Sequence, residues 1–197
     1  MREYFYIPFK GDRNYVHGTD IFNSLRKHLK EKLISGNVFL KSIKFNKFSY
    51  KNLQLVYLEN LDDFDKVVEG VFYVNGDLMD FCLIEAEGSP RERTGYDEDS
   101  IVSSAVFNRD GVELSAMNNF STIEVLIALT KALNNRINPA KEGKWMFGRL
   151  DLNMDLPLIK KTISINIRKN IAGRFSINEI KIDDEVVGTV QFIVGKP

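Results

Sequence analysis

The chain has 197 residues, 44% of them hydrophobic, and 27 basic against 27 acidic side chains, for a formal net charge of zero. That length and apolar content can bury a full core as one large domain or two small fused ones, and the balanced charge lacks the basic footprint of a nucleic-acid binder. Cys82 is the single cysteine and His17 and His28 the only histidines, so an internal disulfide is excluded and a structural zinc cage has no ligand set. Cys82, in "DFCLIEA", reads as a buried strand thiol. No signal-peptide pattern opens the chain and no apolar run reaches the length of a membrane span, so a cytoplasmic protein is expected.

In chain order, "EYFYIPFKGDRN" reads as a strand-like run closed by a turn, and "TDIFNSLRKHL" (19–29) as a helix whose stripe is Ile21, Leu25, Leu29 and Leu33. "FLKSIKFN" (39–46) and "LQLVYLEN" (53–60) alternate like strands. "VNGDLMDFCLIEA" (74–86) reads as strand-like runs about a two-residue turn at Asn75-Gly76. "EGSPRERTGYDEDS" (87–100) has charge, Gly, Pro and Ser without periodicity and reads as a solvated connection.

The same order then returns. "IVSSAVFNRDGVE" opens with a strand-like run and a turn, "IEVLIALTKAL" (123–133) is helical and apolar nearly all round, and "MFGRLDLN" (146–153) and "ISINIRKN" (163–170) alternate. "IDDEVVGTVQFIV" (182–194) again places a two-residue turn, Asp183-Asp184, between strand-like runs. Four elements thus recur in succession at an offset of about 104 to 110 residues, which predicts two domains, 1–88 and 101–197, joined by a linker at 89–100. The second helix, apolar on every side, is expected to be the deeper one.

One helix followed by a long antiparallel meander, twice, resembles the hotdog fold. The resemblance implies an α+β double hotdog, two repeats each with a central helix wrapped by an antiparallel β-sheet. Hotdog proteins commonly act on acyl thioesters of coenzyme A or acyl carrier protein, at sites where the two halves meet near the helix N-termini. There backbone N–H groups suit a thioester oxyanion, and a histidine or carboxylate can move a proton.

"HGTDIFNSL" (17–25) is similar to the H-G-G-x-I-F-x-L-A-D motif of one class of hotdog acyl-CoA thioesterases, with His17, Gly18, Ile21 and Phe22 matching. It departs at Thr19, where the motif has its second glycine, and at Arg26 or Lys27, where the motif has its catalytic aspartate. The equivalent place in the second helix falls on Thr130 or Lys131. The dehydratase branch pairs a loop histidine with an acid on the partner's helix, which implies His17 with Glu124, although the longer H-x-x-G-x-x-x-x-P-G motif is missing.

His17 is the expected proton-transfer residue, since imidazole titrates near neutrality. Glu124 or Asp20 is the expected supporting carboxylate. Gly18 and Thr19 are expected to supply backbone oxyanion donors, and Asn119 either to orient a carbonyl or a water or to form a turn in "MNNFST". Each acid also has a structural use: "STIE" (121–124) is a capping-box pattern, and Asp20 lies in a first helical turn, where the dipole stabilises its anion. His28, in "RKHLKEK", reads as solvated or as compensating the helix dipole. The acid pairs Asp62-Asp63 and Asp183-Asp184 read as turn residues.

No G-x-S-x-G elbow, Walker loop or helix-opening G-x-G-x-x-G occurs, and no cofactor or metal is expected. The expected function is therefore thioesterase or 3-hydroxyacyl dehydratase, on an acyl-CoA or acyl-carrier-protein partner. The alternative is a non-catalytic acyl-binding or assembly subunit of a fatty-acid or polyketide type of pathway. A chain that holds its own pseudo-dimer suits a monomer or a homodimer equally.

Overall fold

A helix with one apolar stripe and strands with one apolar face hide those surfaces by packing on each other, and both halves of the chain do so. The computed structural model describes residues 2–32, 36–58, 60–115, 119–157, 161–171 and 173–196. It divides into two compact units, Met1–Tyr96 and Asp97–Pro197. The architecture is α+β with antiparallel sheets.

Unit 1 runs β1 (Arg2–Phe5), β2 (Phe9–Lys10), α1 (Gly18–Lys32), β3 (Val38–Phe45), β4 (Leu53–Tyr57), β5 (Lys66–Val74), β6 (Asp77–Glu85) and β7 (Arg93–Thr94). Its sheet has the order β1-β4-β6-β5-β3, antiparallel throughout. The predicted turn closes β5 onto β6: Asn75 and Gly76 both have positive φ, 53° and 108°, which an Asn-Gly pair adopts at little cost. α1 buries Ile21, Phe22, Leu25 and Leu29 and packs against β3. Cys82 is buried on β6.

The stretch read as a solvated connection is partly ordered by pairing. β7 runs parallel to β2, with Phe9 opposite Arg93 and Lys10 opposite Thr94. The Arg93 guanidinium donates to the carbonyls of Gly11 and, at 2.7 Å, of Arg13, and it lies over the Phe9 ring. Arg93 therefore ties the chain before α1 to the chain after β6.

Unit 2 runs α2 (Glu98–Ser103), β8 (Val106–Phe107), β9 (Gly111–Leu114), α3 (Thr122–Ile137), β10 (Lys144–Leu152), β11 (Ile163–Ile171), β12 (Phe175–Ile182) and β13 (Glu185–Gly195). Its sheet has the order β10-β13-β12-β11-β9-β8, again antiparallel. The strand-like opening expected at "IVSS" is instead the end of α2. Asp97 accepts from the Ser100 N–H as an N-cap, and that local bond starts a helix where β-branched residues alone suggest a strand.

α3 is nearly wrapped: ten of its sixteen residues are buried, against six of fifteen in α1. Among them Leu126, Leu129 and Leu133 have no exposed surface. Its C-terminal end is held by Trp145, whose indole N–H donates to the Asn138 carbonyl at 3.0 Å. Lys131, at the position that the motif assigns to an acid, instead donates to both carboxylate oxygens of Glu98 on α2, at 3.0 and 3.1 Å.

Candidate functional site

The start of α1 concentrates the polar chemistry of unit 1. His17 stands just before the helix, and its carbonyl accepts from the N–H groups of Asp20 and Ile21 at 3.0 and 3.1 Å. Gly18 opens the helix. Thr19 has no exposed surface, and its hydroxyl lies 2.7 Å from His17 Nδ1.

The sequence reading missed the group next to them. Lys10, at the end of β2, is only 3% exposed. Its ammonium donates to Asp20 Oδ1 at 2.7 Å and to Thr19 Oγ1 at 3.3 Å. It also lies over the face of Tyr96, 4.7 Å from the ring centroid, with Arg13 at 5.4 Å from the same centroid. The His17 ring is 5.8 Å from that of Tyr96. Burying an ammonium is costly unless a counter-charge and hydrogen-bond acceptors accompany it, and Asp20, Thr19 and Tyr96 supply them. No signal in the sequence marks Lys10, because lysine is ordinarily exposed and a ten-residue separation from Asp20 across a turn follows no period.

The start of α3 is built differently. Ser121 caps the helix: its Oγ accepts from the Glu124 N–H at 3.4 Å. In return the N–H and the hydroxyl of Ser121 both donate to Glu124 Oε2, each at 2.7 Å. The capping box written in "STIE" is formed, and Glu124 serves the helix's own backbone. Asn119 is exposed in the bend before α3; residues 116–118 lie outside the described residues. Asp62 and Asp63 sit in an exposed turn, and Asp183 and Asp184 form the β12–β13 turn with positive φ.

His28 is not solvated as its basic neighbours suggested. It is 6% exposed, edge-on to Phe5 and Tyr57, with Nδ1 3.5 Å from Glu3. Helical spacing puts it one turn from Leu25, on the inner stripe. Burial lowers its pKa below the ordinary histidine value, with Glu3 opposing that shift. Among the described residues no group of three or more His, Cys, Asp or Glu could hold a metal ion. No helix among them is long and apolar enough to cross a membrane.

No protein-family model and no curated protein matches the chain. Solved structures with a similar course of the chain include a bifunctional dehydratase-cyclase domain of ambruticin biosynthesis (8% identity, 92% of this chain and 83% of that one, TM-score 0.49). Another is an acyl-ACP thioesterase from Bacteroides thetaiotaomicron (12% identity, 98% and 96%, TM-score 0.46). A third is the dehydratase domain of PpsC from Mycobacterium tuberculosis, in complex with C12:1-CoA (9% identity, 92% and 85%, TM-score 0.48).

Proposed function

We propose that the chain is a double hotdog that acts on acyl thioesters of coenzyme A or acyl carrier protein, as a thioesterase or a 3-hydroxyacyl dehydratase. The observation that carries this reading is the half-buried His17 at the start of α1, its Nδ1 held 2.7 Å from a wholly buried threonine hydroxyl. A first helical turn offers backbone N–H groups and the positive end of the helix dipole, here at Gly18 and Thr19, to an oxygen that gains negative charge. His17 is the proton-transfer residue: its ring can give a proton to the oxygen or sulfur that gains negative charge as a thioester is hydrolysed, or to the hydroxyl that leaves in dehydration. The supporting carboxylate is Asp20, acting through Lys10, or Glu124.

A second reading has its own support. Glu124 is engaged in the capping box and Asp20 in the Lys10 ion pair, so both candidate acids have structural work. That is what a non-catalytic acyl-binding or assembly subunit would retain. Single-turnover mass spectrometry with a panel of acyl-CoA and acyl-carrier-protein thioesters, 3-hydroxyacyl forms included, separates the two. Free acid or loss of water that depends on His17 establishes the enzyme and names its reaction, whereas thioesters retained unchanged establish the binding subunit.

A further inference from the structure

Which nitrogen of His17 carries the proton follows from Thr19. Thr19 is wholly buried, and among the described residues its hydroxyl meets two hydrogen-bond partners, Lys10 Nζ at 3.3 Å and His17 Nδ1 at 2.7 Å. An ammonium has three donors and no acceptor. The Thr19 oxygen therefore accepts from Lys10; its second lone pair is able to take an Nδ1–H as well, but the buried hydroxyl hydrogen would then have no acceptor among the described residues, so that hydrogen goes to His17 Nδ1. A neutral imidazole that accepts at Nδ1 carries its proton at Nε2.

We infer that Lys10 and Thr19 are positioning residues that hold neutral His17 in its Nε2–H form, so that His17 meets its ligand as a hydrogen-bond donor to an acceptor oxygen and not as a base. The inference rests on the reading of His17 as a site residue and gives its ligand a chemistry. A ligand group that accepts from Nε2–H is an oxygen that gains negative charge, as a thioester carbonyl does when its carbon is attacked or its C2 proton leaves. A base would require the opposite arrangement, with Nδ1–H anchored on an acceptor and Nε2 bare.

Lys10 is suited to this part by its surroundings. Asp20 and the Tyr96 face hold the ammonium in place, so its donor direction toward Thr19 does not wander with solvent. Lys10 sits on β2 and Thr19 and His17 at the start of α1, so the arrangement also couples the tautomer to the β2–β7 pairing that positions Lys10.

Nitrogen-15 NMR of the full chain with labelled histidine, recorded at about pH 8.5, roughly two units above the ordinary histidine pKa, reads both ring nitrogens. A His17→Gln spectrum assigns the signals. The expected result is a bare Nδ1 and a protonated Nε2 in His17; a protonated Nδ1 overturns the inference. Thr19→Val, which keeps the shape and removes the hydroxyl, shifts the Nδ1 signal toward the protonated position as the two tautomers mix, and Thr19→Ser restores it. The double variant Lys10→Met with Asp20→Asn removes both charges together, so that no buried carboxylate is stranded, and gives the same mixture. A wild-type pattern in Thr19→Val or in the double variant overturns the role of the residue replaced. The measurement needs no substrate: absence of turnover with a bare Nδ1 removes the thioester reading alone, and turnover with a protonated Nδ1 removes this inference alone.

Discussion

The two long helices begin with similar polar material and use it differently. α3 starts on Ser121 and Glu124, which satisfy each other's backbone groups, so its hydroxyl and carboxylate serve the helix. α1 starts on His17, a poor cap, and directs the hydroxyl of Thr19 and the carboxylate of Asp20 onto Lys10, which is brought in from another element. A capped start satisfies its backbone groups with side chains of the same helix. A start whose polar side chains are committed to a distant lysine depends on the tertiary fold, and departures of this kind from local rules concentrate at functional sites.

The comparison can be sharpened by mutation, beginning with the helices themselves. Leu126→Ala, in the fully enclosed part of α3, is expected to cost about 2–5 kcal/mol in denaturant unfolding, while Lys27→Ala on the exposed face of α1 changes stability by less than about 0.5 kcal/mol. Equal effects would mean that the two helices are buried alike. Next comes His17→Ala, expected to lower thioester turnover by about 100-fold or more, equivalent to roughly 2.7 kcal/mol in the barrier, with little loss of stability.

Ser121→Ala should show the converse, a stability loss of about 1 kcal/mol with turnover unchanged. A turnover loss as large as that of His17→Ala would bring the start of α3 into the site and make Glu124 the supporting carboxylate. The smallest effect concerns pH. Burial depresses the folded-state pKa of His28 below its unfolded value, so the unfolded chain binds more protons just below about pH 6.5. Stability from this group is complete above that pH and is lost as pH falls toward the depressed value. Unfolding midpoints measured across that window should drop on acidification in the wild type and drop less in His28→Leu.

Much of the element order is legible in the sequence because it is written in short-range terms. The 3.6-residue stripe of Ile21, Leu25 and Leu29 marks α1, and the alternation of 146–153 and 163–170 marks β10 and β11. Asn75-Gly76 and Asp183-Asp184 mark two hairpin turns, and "STIE" marks a capping box that forms as written. Where a local bond competes with periodicity, the reading slips: the Asp97 cap makes "IVSS" part of a helix.

His28 shows a different failure. Its charged neighbours suggest solvent, yet its place on the stripe carries it inward, and only the packed fold decides between the two. By itself the sequence determined the two long helices, several of the strands and two hairpin turns and singled out His17, because propensity, periodicity and capping act over a few residues. Only the tertiary structure decided that Lys10 is buried, that Asp20 and Thr19 receive it, and that His17 lies beside that pair. Those contacts join β2, α1 and Tyr96 across separations that follow no period, and an ammonium is retained in a protein interior only where the fold brings its partners to it.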